Sequence, residues 1–523
     1  MKRTVSLILT VLMVISMAAC GDRGEKGTSG DELDFTSYPI ETEETLTYWM
    51  ELPGNNVSLV TNLADTPFAQ KLMEETGVNI EFIHPAAGQV ENAFGLLLAS
   101  NDLPDMIEYK WGNFSGGPTK AINEEVIEPL NDYMEHAPNL KAFLAKDESY
   151  DRSARTDEGQ YYMFPFVCDG KSLLITSGPV LRKDWLDELG LDVPETYEEW
   201  TNVLTAFKEK KGATAPFTVF DALSYLIAFF DGQFSFYVDG DTIKYGPAEP
   251  AFKAAIEGLE GWFSKGLLDE NFVSLDKKGF DSNMLTGKSG AALASGGSGI
   301  GQWLAAKPTE SYDLVGASYL SLTPGKPNSS VPAILPFQPK GVAITSSCKN
   351  IPLAMRFLDY GYSEEGHMLY NFGIEGESYV MVDGTPTYTD VIYNNENGYT
   401  PAQAMSMYFR AASGGGASAQ DPRYLEGYYN LQQQQEALKI WRKDLDLSLP
   451  KLVPAVFPTQ EESTEAAVIL TELEKYVKEM AVRFITGVEP MSNYDKYLER
   501  LDELKLDRAI ELKQAAYDRY LQR

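Results

Sequence analysis

Cysteine is nearly absent from this sequence: three residues in 523, which excludes a scaffold built on disulfides. Histidine is as scarce. His84, His136 and His367 lie far apart in the chain, and no Cys/His pair stands at metal-ligand spacing, so no metal motif can be read. Basic side chains are outnumbered, 44 Lys and Arg against 76 Asp and Glu, for a formal net charge of −32. Nucleic-acid binding needs clustered Lys and Arg, so that class is excluded, and polyanionic partners are disfavoured. The apolar run at residues 5–17 is too short for a comfortable membrane span. What remains is ordinary globular composition, 44% hydrophobic and 23% charged, with length for two to four cores.

The N-terminus reads as an address. Met1-Lys2-Arg3 is a short basic start, residues 5–17 fit a secretory apolar region, and Met17-Ala18-Ala19-Cys20-Gly21 follows. Small residues before a cysteine resemble a bacterial lipobox, with Met17 where leucine is usual. The reading is a lipoprotein signal peptide over 1–19, a lipid on Cys20, and a flexible tether over 20–44, rich in Gly, Ser and Glu. Cys168 and Cys348 are left either as a pair or as two buried thiols.

Strands and helices alternate along the body. Residues 46–50 read as a strand. Thr66-Pro67 opens a helix that Gly77 closes, and residues 78–83 alternate like a second strand. A helix with Val90, Phe94, Leu97 and Leu98 on one face ends at Asp102-Leu103-Pro104-Asp105, before a strand at Met106-Ile107. That order predicts a largely parallel sheet with covering helices. Thr196 and Glu199 fit a capping box, followed by a buried stripe of Trp200, Val203, Leu204 and Phe207. Residues 234–241 look like a hairpin, and 251–265 a helix with Ile256, Leu259 and Phe263 inward. Thr459 to Glu462 and Ser492 to Asp495 cap two C-terminal helices. Residues 411–420, around Gly414-Gly415-Gly416, read as a flexible surface loop. Trp185, Trp200 and Trp262 sit on apolar stripes and are assigned to the core.

Catalytic constellations are weak. Residues 296–301 approach a nucleophile elbow, but the residue two after Ser298 is Ile300, not glycine. No Walker sequence exists, and no dinucleotide fingerprint follows a strand. With so many carboxylates, a glycosidase-like pair carries no weight.

Several segments together resemble family 1 extracellular solute-binding proteins, the lipoproteins that capture substrates for ABC importers. They include residues 94–107 with Leu103-Pro104-Asp105-Met106-Ile107, residues 157–165, 181–191, 266–269, 356–360, 371–379, 484–487 and 514–519. They fit the large oligosaccharide-binding subgroup similar to alginate-binding proteins. The resemblance implies an α/β, two-lobed, periplasmic-binding-protein-like fold of type II, with mostly parallel central sheets flanked by helices and a ligand cleft between lobes. It places an N-terminal lobe at 45–168 and 340–400 and a C-terminal lobe at 169–339 and 401–523. It implies capture of an oligosaccharide, delivery to permease subunits, no cofactor, no reaction on the ligand, a monomer, and a lipid anchor at the outer face of the cell membrane. The competing readings are a secreted glycan-degrading enzyme and a surface glycan-binding or sensing protein without transport.

Ligand-binding candidates follow from position after strands and from chemistry, since sugars take aromatic faces and amide or carboxylate rims. Glu51 and Asn55 follow the first strand; Tyr109 and Trp111 follow the Met106-Ile107 strand; Asp169 follows residues 164–167. Ser298 and Trp303 follow residues 291–294, Gln338 precedes a strand at 341–345, and Tyr424, Tyr428 and Tyr429 precede the Gln-rich helix start. Trp111 and Tyr428 rank highest. Alginate-binding relatives carry stacking aromatics in loops matching 294–303 and 420–430; here the first is Gly-rich. The stretch 208–216 lacks a ladder of oxygen ligands, so no calcium is expected there. Only Arg410 and Arg423 lie near these loops, which favours a neutral or weakly charged sugar over a uronate.

Overall fold

The computed structural model describes residues 33–220, 223–323 and 325–523. Cys20, the signal peptide and most of the tether lie outside them. Among the described residues no helix is long and apolar enough to cross a membrane.

Two sheets organise the chain. The larger has six strands in the spatial order Ser418–Gln420, Phe164–Cys168, Phe337–Ile344, Met106–Tyr109, Thr45–Trp49, Asn79–Ile83. Its first βαβ unit forms as the sequence predicts. Thr66 caps the helix Pro67–Thr76 by accepting from Ala69 N–H, and Gly77 ends it in the left-handed region. Strands Thr45–Trp49 and Asn79–Ile83 then pair in parallel, Tyr48 opposite Phe82. The next helix, Val90–Ser100, buries only Phe94 fully. Strand Phe337–Ile344 runs antiparallel to both neighbours, so this sheet is mixed.

The second sheet has the order Leu314–Gly316, Ser177–Arg182, Ala291–Ser295, Phe217–Thr218. Two of its three pairings are antiparallel, which departs from the mostly parallel expectation: the chain enters it through reversals rather than through successive βαβ crossovers. The capping box at Thr196 and Glu199 is present, and Trp200, Val203, Leu204 and Phe207 are all buried. Trp185, Trp200 and Trp262 are core residues as expected, at 7%, 0% and 0% exposure.

Three local readings need correction. Residues 411–420 are not a surface loop. Ser418–Gln420 is a buried strand paired in parallel with Phe166 to Cys168. The glycines serve close approach: a Cβ on Gly415 would stand 2.3 Å from Glu108 Oε1 and 2.7 Å from Arg410 Nη2. This strand also belongs to the first sheet, whereas the expected boundaries put 401–523 in the other lobe. Conversely Phe372 and Tyr388, within the expected first-lobe segment 340–400, pack with the second unit's core. At the helix Tyr494–Glu503, Asn493 makes no capping bond; its amide donates to Glu489 Oε1 at 2.6 Å instead. Cys168 and Cys348 are unpaired and buried, and burial pushes both thiols up to about 12.

The C-terminal helix Leu506–Leu521 packs beside the long helix Gln460–Ile485 of the second unit. Its end reaches the first unit. Arg519 Nε lies 2.8 Å from Asp157 Oδ2, Arg519 Nη2 lies 2.8 Å from Glu462 Oε2, and Arg523 Nε donates to Asp157 at 2.7 Å.

Candidate functional site

A large open cleft has a volume of about 1240 Å³. One wall grows from strand Ala291–Ser295, which runs into a wide π-helical turn, Gly296–Gly301, and then the short helix Gln302–Ala305. Such turns are rare and concentrate at functional sites. A second wall is the first turn of the helix Gln432–Trp441, and a third is Tyr393 with Thr400, Pro401 and Ala402.

Side-chain contacts lock these walls together. Gln434 Nε2 donates to Gly296 O at 2.7 Å, while its Oε1 accepts from Leu431 N–H at 3.1 Å. Trp441, fully buried, donates to Pro179 O at 3.1 Å and fixes the helix's far end on the second sheet. The short helix Pro422–Tyr428 brings Tyr428 to the cleft. Tyr428 and Tyr429 have ring centroids 5.0 Å apart, and Gly297 is bare because a Cβ there would stand 2.9 Å from the Tyr428 hydroxyl. Burial pushes the Tyr428 phenol up, so it stays protonated and able to donate.

A second cavity of about 330 Å³ opens at the carboxyl ends of Thr45–Trp49 and Met106–Tyr109. Here Glu108, buried, receives Arg410 Nη2 on both oxygens at 3.0 Å, the Tyr48 hydroxyl at 3.0 Å, and Lys340 at 3.7 Å. Burial opposes the Glu108 charge, but Arg410 and Lys340 outweigh it and hold the carboxyl below its ordinary value. Asn55 lines this cavity and donates to the carbonyl of Ala402, which lines the large cleft, at 3.5 Å. Asn56 donates to Ser406 O at 3.0 Å. The helix Pro401–Tyr408 therefore links a wall of one cavity to a wall of the other.

The structure divides the expected ligand residues. Ser298 and Tyr428 line the large cleft; Glu51, Asn55 and Tyr109 line the second cavity. Tyr429, 5% exposed, backs Tyr428 and lines a small cavity of about 300 Å³ with Ser172. Asp169 accepts from the Tyr150 hydroxyl at 3.2 Å, and Gln338 turns back to Leu335 O. Trp111, Trp303 and Tyr424 line none of these three cavities. Trp111 has no exposed surface and packs among Phe94, Tyr109 and Phe114. Trp303 is equally closed off, its indole donating to Asp281 Oδ1 at 2.9 Å against the Phe280 ring. Tyr424 is 8% exposed, on the buried face of the helix Pro422–Tyr428 that carries Tyr428.

Sequence reasoning missed Gln302, Tyr312, Asp313, Tyr393, Asn430 and Gln433, all on the large cleft. The one available signal was Tyr312-Asp313 standing just before the apolar strand Leu314–Gly316. The stretch 208–216 holds lysine contacts: Lys208 donates to Lys265 O at 2.6 Å, and Lys211 pairs with Glu188.

Asp421 sets the tyrosine helix in place. It caps the helix through Arg423 N–H at 2.8 Å, takes Arg423 Nη2 at 2.6 Å, and meets His367 Nε2 at 3.0 Å. Burial works against its charge, but the bonds from His367 and Arg423 prevail and hold its carboxyl well below the ordinary 3.8. A depressed folded-state value gives stability that is present above pH 3.8 and lost as pH falls toward the folded value. Denaturation midpoints measured from pH 6 down to 3 should therefore fall more steeply for the parent than for Asp421→Asn. Parallel curves would contradict this role.

A family profile described as "Bacterial extracellular solute-binding protein" matches residues 60–368, more than half of the chain. The chain is similar to the "Fructooligosaccharide ABC transporter substrate-binding protein FusA" of Streptococcus pneumoniae, 23% identical over 98% of both chains. A structure of FusA in complex with kestose has a TM-score of 0.71 at 21% identity, covering 92% of this chain and 100% of that one. "Lipoprotein LipO" of Bacillus subtilis is 23% identical over 64% of this chain and 67% of its own. The alginate-binding protein AlgQ2, solved without calcium ion, has a TM-score of 0.73 at 24% identity, covering 92% of this chain and 100% of its own. The fold is the two-lobed α/β architecture of these proteins. With the profile match, the chain belongs to the family of bacterial extracellular solute-binding proteins.

Proposed function

We propose that this protein captures an oligosaccharide in the large cleft and passes it, unaltered, to the permease of an ABC importer. The observation that carries the reading is the lining: tyrosine faces at Tyr393 and Tyr428 stand beside amides at Gln302, Asn430 and Gln433. Flat aromatic faces suit the C–H faces of sugar rings, and amides pair hydroxyls whose burial would otherwise be costly. At about 1240 Å³ the cleft exceeds the roughly 300–1,000 Å³ that encloses a drug-sized ligand, leaving room for several sugar rings. The fructooligosaccharide transporter name of the pneumococcal relative supports the same ligand class.

Among the described residues, Ser298 has no base to activate it. Ser298 Oγ pairs with Ser295 Oγ at 2.7 Å, and Lys277 donates to the Ser298 carbonyl at 3.0 Å, not to its hydroxyl. A thermal-shift screen with mono- to hexasaccharides tests capture. A ligand at 100 times its Kd adds about 2.7 kcal/mol of stability by mass action; a midpoint that no saccharide raises would refute the proposal. Release of reducing ends from a bound glycan would refute its passive part.

The protein works as a monomer at the extracytoplasmic face of the cell membrane, held only by lipid on Cys20, as the sequence around that residue supports. Cys20→Ala expressed in a Gram-positive host should move the protein from the membrane fraction to the medium. Retention in the membrane fraction would rule out the anchor.

A further inference from the structure

The loop over 306–313 returns from the helix Gln302–Ala305 and delivers Tyr312 and Asp313 to the cleft, just before strand Leu314–Gly316. Asp313 is held by one oxygen only. Its Oδ1 accepts from Leu314 N–H at 2.9 Å and from Gln433 Nε2 at 2.8 Å. Among the described residues, Oδ2 of Asp313 and Oε1 of Gln433 accept no hydrogen bond. Tyr312 is 3% exposed, and its buried hydroxyl also lacks a partner among the described residues. Natural proteins leave few buried hydroxyls unpaired, and an unpaired one is costly unless something outside the protein supplies the bond. The Tyr312 ring is not free to seek a partner. The Arg182 guanidinium lies 4.3 Å from its centroid and 4.5 Å from that of Trp185, clamped by Asp184 at 2.7 and 2.6 Å.

We propose that Tyr312, Asp313 and Gln433 form the anchor subsite of the cleft, reading adjacent hydroxyls of one neutral sugar residue. Asp313 Oδ2 and Gln433 Oε1 accept from those hydroxyls, and the Tyr312 hydroxyl pairs with a third ligand oxygen. The class of ligand follows from the cations around the subsite, all of them committed. Arg182 is paired with Asp184, Lys183 with Asp187, and Lys307 with Glu310 at 2.7 Å. A ligand carboxylate would meet the Asp313 charge with no free cation to offset it. This subsite rests on the reading of the cleft as a saccharide site.

The test uses the full chain in detergent, titrated calorimetrically with neutral tri- to hexasaccharides, kestose among them, and with uronate trisaccharides. The parent should bind a neutral saccharide tightest. For that saccharide, Asp313→Asn should raise Kd about 10- to 100-fold, the loss expected for a charged hydrogen-bond acceptor. Tyr312→Phe should raise it about 5- to 10-fold without lowering the melting midpoint of the unliganded protein, because the hydroxyl removed has no partner there. A merely structural hydroxyl would give the reverse, a changed midpoint at constant Kd. Parent-like affinity in both variants, or a uronate as the tightest ligand, overturns the anchor alone. Binding of no saccharide by the parent overturns the sugar reading and the anchor with it.

Discussion

Replacing Tyr428 with alanine should leave the melting midpoint of the unliganded protein close to the parent's and nearly erase its rise with saturating oligosaccharide. Tyr428 is only half-buried and stands on the large cleft. Only its inner edge packs on Tyr429 and the second unit's core, so the unliganded midpoint should drop far less than for a fully buried ring. What the variant loses is the aromatic face offered to the ligand. Burying an aromatic face against a ligand contributes about 1.5–3 kcal/mol, or about 10- to 150-fold in Kd. At a ligand concentration of 100 parental Kd, the parent gains about 2.7 kcal/mol, whereas a variant weakened 100-fold gains about 0.4 kcal/mol. A differential scan at one ligand concentration separates these outcomes. A variant that keeps the full shift places the ligand elsewhere.

The second large effect is on stability. Arg410→Ala and Glu108→Ala should each destabilise the protein by about 3–5 kcal/mol, because each strands the opposite charge in the interior. Glu108 and Arg410 are 7% and 4% exposed, and their bonds join the first sheet to the chain entering Ser418–Gln420. The double variant should be less destabilised than the sum of the singles, since no orphan charge remains. Urea denaturation of the four proteins measures this coupling directly. Losses under about 1 kcal/mol, as for exposed pairs, would show the pair to be hydrated in solution.

What could be read from the sequence was what neighbours along the chain decide. The capping boxes at Thr196 and Thr459 and the stripe from Trp200 to Phe207 all formed, because helix ends and faces are set within one or two turns. What failed depended on partners hundreds of residues away. Gly414-Gly415-Gly416 has loop composition, yet its neighbours form a strand beside Phe164–Cys168, and the bare backbone makes room for Glu108. Trp111 and Trp303 follow strands just as cleft aromatics do. Only three-dimensional packing sends one among Phe94, Tyr109 and Phe114 and the other against Phe280. The cleft itself was half legible. Tyr428 and Ser298 were found, but Tyr312, Asp313 and Gln433 converge only because the helix Gln432–Trp441 lies across the second sheet.

The bond from the C-terminal helix to Asp157 has a mechanical corollary. Arg519 and Arg523 set two guanidinium groups on one carboxylate, so any movement that draws the last helical turn away from Asp157 must break both pairs together. Asp157→Asn is then the substitution that loosens this end of the chain.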